Sequence, residues 1–181
     1  MSASSLIGAF KTEVDTPALL VDLDVMEANI GRVAEICRTG GVGWRPHTKG
    51  QKTPEIIRKE LAAGAIGVTC AKLGEAEVLA ATGIRDILIA NQIVGSAKMR
   101  RLVGLLAIAD PIVGVDSAAH VDELTAALLG TGHTLPVVIE VDIGMHRAGV
   151  QPGPAAVALA HAIAARPVLR FAGVMGWEAT R

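Results

Sequence analysis

Apolar and polar positions switch between two periods along the chain. Runs such as Ile87-Leu88-Ile89 and Val137-Val138-Ile139 are apolar on consecutive positions, as in strands buried on both faces. Between such runs apolar residues recur at three- and four-residue intervals, as on amphipathic helices. Read by period, the chain gives a strand over 18–23 and a helix capped by Asp24, running to about Arg38 and stopped by Gly40-Gly41. A strand over 43–49 precedes a helix over 54–63, with Thr53 as cap and Pro54 at its first position. Strands over 65–71, 86–91, 112–116, 136–143 and 169–177 then alternate with helices over 74–81, 96–108, 118–129 and 154–165. From Gly43 onward the strands begin roughly every 21 to 33 residues, the pitch of a βα unit.

Two architectures repeat that unit, the open doubly wound sheet and the (β/α) barrel. The dinucleotide fingerprint of the first is missing, because Gly40-Gly41-Val42-Gly43 follows a helix rather than a strand, and no P-loop occurs. The barrel is therefore the favoured reading. No linker, low-complexity tract or charge run divides the 181 residues.

Composition removes other classes. With 51% apolar residues and a net charge of -1 the chain is not disordered. Its 17 Lys+Arg balance 18 Asp+Glu without a basic block, which excludes an electrostatic nucleic-acid binder. Two cysteines make neither a disulfide framework nor a four-ligand zinc site. With 20 glycines, no tyrosine and 2% aromatic residues, the core must be built from small and branched aliphatics. A mean hydropathy of +0.45 raises the membrane question. The longest uncharged run, 148–165, is interrupted by Pro152, Gly153 and Pro154 and leaves a helix too short to span a bilayer. The first residues lack the basic start and apolar stretch of a signal peptide, so a cytoplasmic location without a membrane partner is expected.

In both architectures chemistry sits at the carboxyl ends of strands. Those ends carry Lys49, Thr69, Asn91-Gln92, Asp116-Ser117, Asp142 with His146-Arg147, and Trp177-Glu178, whereas the opposite ends are mostly glycine, proline or aliphatic. Arg45, His47 and Lys49 alternate along one strand and are expected to share a face. Cationic groups so placed need anions to answer them. Their mutual repulsion and desolvation favour a neutral, nucleophilic lysine, which makes Lys49 a candidate Schiff-base residue. The alternative is a solvated strand-to-helix loop continued by Lys52. Glu140 and Asp142 share the inner face of strand 136–143 and could answer the Arg45 strand across a barrel, with a structural network as the competing role for Glu140. On the opposite face Val137, Ile139, Val141 and Ile143 suit packing under helices. Arg147 is placed to clamp an anionic oxygen. His120, His133 and His161 are expected at the surface, Cys37 in the core, and Cys70 as an inert buried thiol.

Arg45-Pro46-His47-Thr48-Lys49 with Lys52-Thr53-Pro54-Glu55, then residues 67–95, 113–117, 140–153 and 171–178, resemble the fold-type III pyridoxal-phosphate (PLP) enzymes. The branch they resemble is that of D-threonine aldolase and D-serine dehydratase, relatives of alanine racemase. The resemblance implies an α/β fold: a (β/α)8 TIM-type barrel of the alanine racemase N-terminal type, incomplete, with six barrel strands within 24–181. It implies that the strand within residues 1–23 joins a C-terminal β-domain. It implies that Lys49 carries PLP, that Arg147 lies beside the cofactor ring, and that Trp177 stands where members often place a tyrosine. His47, Asn91 and Asp142 complete the expected cofactor-binding set. A closed barrel typically needs about 250 residues. The resemblance places the last strands, a glycine-rich phosphate loop and the ligands of a divalent metal downstream, with no metal ligand here, and exposed strand edges or a pairing partner are expected where the barrel is unclosed. Gln51 replaces a frequent histidine, and Ala179-Thr180 a frequent Gly-His. The implied activity is retro-aldol cleavage of D-3-hydroxy amino acids to glycine and an aldehyde, by a protein expected to be a homodimer with a small amino-acid substrate. The alternatives are dehydration of the D-serine type, racemisation, a non-catalytic PLP-binding protein, or an inactive fragment.

Overall fold

The structure, a computed structural model, describes residues 6–178; Ala179, Thr180 and Arg181 lie outside the described residues. After a 3-10 turn at Lys11–Glu13 the order is α1 (Leu23–Thr39), α2 (Pro54–Ala62), β1 (Val68–Cys70), α3 (Leu73–Ala81), β2 (Asp86–Ile89), α4 (Ser96–Leu106), β3 (Asp110–Val115), α5 (Ala118–Leu128), β4 (Leu135–Glu140), α6 (Pro154–Ala164) and β5 (Leu169–Met175). All pairings are parallel and each strand lies beside the next in the chain. A doubly wound sheet reverses its order at a switch point. No reversal occurs here, so the strands form an arc of a barrel. Among the described residues no helix is long and apolar enough to cross a membrane.

Two expected strands differ from the pattern reading. Residues 43–49 run parallel to β1 but are joined to it through a single bridge, His47 opposite Thr69. Around it the Thr69 N–H donates to Pro46 O and the Thr48 N–H to Thr69 O, both at 2.8 Å. The step before it would need an N–H on Pro46, which proline lacks, so the ladder does not extend. Residues 18–22 form no strand at all. A strand exists only by pairing, and none lies beside this segment among the described residues. Leu19 is 95% exposed there. The helix after it starts earlier than expected because Asp22, not Asp24, caps it, its Oδ1 accepting the Val25 N–H at 3.1 Å.

The two-residue period of the strands divides the molecule. Ile87, Ile89, Val113, Val115, Val137 and Ile139 have no exposed surface and meet Leu79, Leu102, Leu124 and Ile163 of the surrounding helices. Each such side chain contributes about 1.5–3 kcal/mol of burial free energy. On the opposite face Thr69, Leu88 and Ile112 are in register. The next positions toward the carboxyl ends, Ala71, Ala90 and Gly114, are small. There the arc is hollow. A Cβ on Gly114 would stand 2.6 Å from Met175 Cε, so this glycine makes room for the side chain opposite.

A bulge sets the last strand. Val137 pairs with Phe171 but Val138 with Gly173, leaving Ala172 as an extra residue. Residues of paired strands share a face, so the bulge turns Gly173 and Met175 toward the hollow. The hydrophobic pattern alone reads 169–177 as one uninterrupted strand. Phe171 and Val174, on the helix-facing side with Val137 and Ile139, remain 43% and 65% exposed.

Charge closes the amino end of the arc. Arg45 Nη1 donates to Asp86 Oδ1 at 2.7 Å, so Asp86 answers this cation rather than Glu140 or Asp142. The guanidinium lies over Gly67, where a Cβ would stand 2.2 Å from Nη1 and 2.8 Å from Asp86 O. α1 buries none of its residues, and Cys37, expected in the core, is half-buried, lining a surface groove with Val42, Trp44 and Ile66.

Gly67→Ala is expected to destabilise the fold by about 1–3 kcal/mol, the usual cost of overpacking. Gly31→Ala, in the exposed middle of α1 with nothing near its added Cβ, should stabilise it by about 0.5–1 kcal/mol. Denaturant midpoints of the two variants check both signs.

Candidate active site

The hollow at the carboxyl ends is a cavity of about 550 Å³. Its floor is formed by Leu88, Ala90 and Met175, and its rim by His47, Lys49, Asn91, Arg147 and Trp177. Five of the six residues singled out from sequence thus meet in one place, although they come from segments up to 130 residues apart.

Lys49 and Arg147 both approach the Trp177 ring, with Lys49 Nζ 5.6 Å and Arg147 Cζ 5.0 Å from its centroid. Cations within about 6 Å of an indole face are attracted by its quadrupole. Trp177 follows β5, and the bulge is what brings this end of the strand to the hollow. Lys49 lies in the turn after the bridged segment, where buried Thr48 anchors the chain, its Oγ donating to Thr69 O at 3.1 Å. The Lys49 N–H donates to His47 Nδ1 at 3.2 Å. With Nδ1 accepting, the neutral ring carries its proton on Nε2. Burial first, and the Lys49 charge second, hold His47 below its ordinary value of 6.5, with Glu75 opposing.

Arg147 is carried by a lasso. Val141 and Val150 form a parallel bridge that closes residues 142–149 into a loop. The Asp142 N–H donates to Val150 O and the Val150 N–H to Glu140 O, both at 2.9 Å. Asp142 was expected on the inner face among the cofactor-binding residues. It is absent from the cavity lining, because the strand ends at Glu140 and its side chain turns into the lasso. Its Oδ1 accepts the Gly144 and His146 N–H groups at 3.0 Å, and its Oδ2 lies 3.0 Å from His146 Nδ1. These amides, then the imidazole, hold the Asp142 carboxyl down to about 2. Gly149 completes the loop: φ is +100° and a Cβ would stand 2.7 Å from the Asp142 nitrogen. Ile143, expected under a helix, lies in the lasso and is 53% exposed.

Asn91 is fixed by its amide, which donates to Ala71 O at 2.8 Å and accepts the Gln92 N–H at 2.9 Å. Glu140, 8% exposed, accepts from Gln92 Nε2 at 2.5 Å, so its partner is an amide and not a cation. Cys70 is fully buried and its thiol is pushed up to about 11 by desolvation, as expected of an inert thiol. His120, expected at the surface, is 3% exposed, since the first turn of α5 lies beneath the loop after β2. Met175 and Gly114 went unnoticed in the sequence, where Gly173 was the available sign of a bulge. Among the described residues no group of three His, Cys, Asp or Glu side chains could hold a metal ion.

A sequentially ordered parallel arc with its polar cavity at the carboxyl rim defines the class: part of a (β/α) barrel with the site where such barrels place theirs. The family model "Alanine racemase, N-terminal domain" matches residues 21–181, and the chain belongs to that family. It is 38% identical over 165 residues to a D-threonine aldolase from Arthrobacter sp, covering 91% of this chain and 44% of the relative. It is 35% identical over 176 residues to 3-hydroxy-D-aspartate aldolase from Paracoccus denitrificans, covering 96% of this chain and 46% of that protein. The crystal structure of D-threonine aldolase from Filomicrobium marinum superposes with a TM-score of 0.87 at 42% identity, over 89% of this chain and 43% of that one. The chain therefore spans less than half the length of these relatives.

Two outcomes test the geometry. Lys49→Met should raise the His47 pKa part of the way toward 6.5, since the neighbouring charge goes and burial stays; an NMR titration of the ring reads this. Asp142 has a depressed carboxyl, so its contribution to the lasso is present above its ordinary 3.8 and lost as pH falls through about 2. Asp142→Asn should accordingly speed hydrogen exchange at the Gly144 and His146 amides at neutral pH, with core strand amides unchanged.

Proposed function

We propose that this chain is the cofactor-binding part of a PLP-dependent lyase that cleaves D-3-hydroxy amino acids to glycine and an aldehyde. The observation that carries the reading is the approach of both the Lys49 amine and the Arg147 guanidinium to the Trp177 ring, at the mouth of a cavity sized for a small ligand. The two aldolase relatives and the solved aldolase structure favour this substrate class.

The donor set fits the cofactor. PLP brings an aldehyde and several anionic oxygens, and the rim offers one primary amine and one guanidinium. Lys49 would hold the aldehyde carbon. Arg147, kept in place by the lasso, would donate to a ring or carboxylate oxygen. Trp177 offers an aromatic wall with an N–H in place of a phenol, so it can stack but cannot exchange a hydroxyl proton. His47, neutral and with its proton on Nε2, can donate there or accept a proton at cost, and Asn91 presents a fixed edge to the same space. Asp142 serves by shaping the Arg147 loop. When bound, PLP supplies an electrophile for the substrate amine and a sink for the electron pair left when Cα–Cβ breaks.

The resemblance adds a homodimer, a cytoplasmic location, residues 1–23 as a segment joined to a C-terminal β-domain, and a divalent metal held by residues beyond these. The described residues offer that metal no site, and no step is assigned to it.

Borohydride reduction of the intact protein with PLP should label Lys49, and Lys49→Ala should abolish both label and turnover. Label on another lysine would overturn the assignment. D-threonine should release acetaldehyde; ammonia instead would identify a dehydratase.

A further inference from the structure

The β3–α5 junction contributes no side chain to the cavity, yet it touches both loops that do. The loop after β2 carries Asn91 and Gln92, and at its end the Gly95 N–H donates to Glu123 Oε1 at 2.7 Å. The lasso carries Arg147, and its Gly149 N–H donates to Asp116 Oδ2 at 3.2 Å. His120 lies between these two carboxylates in sequence. Its backbone N–H donates to the capping Ser117 Oγ at 3.2 Å, and its ring is 3% exposed and faces the Ile93 backbone. No side chain partners either ring nitrogen, and the polar group that acts on the ring is the Ile93 backbone, without a well-formed hydrogen bond. A buried imidazole so weakly satisfied is unfavourable, and such groups call for a reason.

We propose that Asp116, His120 and Glu123 are positioning residues for the cavity, the two carboxylates each holding one loop by a backbone amide and the neutral His120 ring acting as the spacer that sets the height of the Asn91–Gln92 loop. The proposal rests on the cavity being the PLP site, and it concerns residues that touch neither cofactor nor substrate. The charged groups acting on His120 are Asp116 at the end of β3 and Glu123 on its own helix. Residues 90–95 above it carry no charge. On α4 the charged residue sharing a groove with Glu123 is Arg100. Burial lowers the ring's pKa from 6.5, opposed first by the Ile93 backbone and then by the two carboxylates. A loosened loop would let the ring bind a proton more readily, so the ring's contribution to the seated arrangement is full above pH 6.5 and weakens as pH falls below it through the ring's lowered value.

NMR of the intact protein without cofactor tests this. The side-chain amide signals of Asn91 and Gln92 should move with pH together with the His120 ring titration, and His120→Gln should remove that movement. His47 titrates alike in parent and variant and so cancels from the comparison. Glu123→Gln should speed exchange of the Gly95 amide, and Asp116→Asn that of Gly149, each about tenfold while Ile89 is unchanged. Each variant should also weaken PLP binding by about tenfold, as losses of orienting groups do. Unmoved Asn91, Gln92 and Arg147 signals in all variants, despite faster exchange at the two glycines, would overturn the proposal. Were His120→Gln not to fold, the two carboxylate variants would still decide it. A parent protein that binds no PLP would sink the cofactor reading alone, since the loop signals are read without PLP.

Discussion

The alternation of side chains across a parallel strand governs both the stability and the chemistry of this chain. Every second residue is pressed against helices and must be branched and apolar, while its neighbours face the axis of the arc. Filling that axial face completely would give the packed interior of an ordinary barrel. Here Ala71, Ala90 and Gly114 leave it short of atoms one layer below the rim, and the cavity is the space they do not fill. The same backbone that builds the core thus also fixes the volume in which polar groups can meet.

Polar groups in that space are handled by separation. Arg45 is discharged against Asp86 at the amino end, Lys52 against Glu75 outside the rim, and Arg101 against Glu77 between helices. Among the described residues lining the cavity the carboxylate is Glu140, and it accepts from Gln92. Lys49 and Arg147 instead approach the Trp177 ring. That suits a site whose ligand is an anion bearing a carbonyl.

Much of the arrangement was legible in the sequence because its signals were local. Consecutive apolar runs marked β2 and β4, Pro54 and Gly40 marked helix ends, and polar residues at the ends of the runs marked the rim. What escaped depended on partners distant in the chain. The 43–49 segment reads as a strand until Pro46 is asked to donate a hydrogen bond. Residues 18–23 read as a strand although nothing lies beside them to pair with. Asp142 reads as an inward residue only if β4 runs on past Glu140, and the closure of the lasso by Val150 is invisible to periodicity. His120 reads as a surface residue on its helix alone, and the loop that covers it comes from a distant part of the chain.

The single extra residue at Ala172 has a wider meaning for how this protein can change. Side chains of a strand are read in a frame of two, and the bulge is a frameshift: residues beyond it are displayed on the opposite face from the one an unbroken strand would give them. Removing Ala172 itself would leave Gly173 opposite Val138 and Met175 opposite Glu140, whereas pairing the strand at its full count without the bulge would turn Met175 and the approach to Trp177 to the helix side. With the bulge kept, a residue gained or lost between Gly173 and Met175 would turn Met175 away from the cavity, so spacing within that stretch matters to the site as much as identity does.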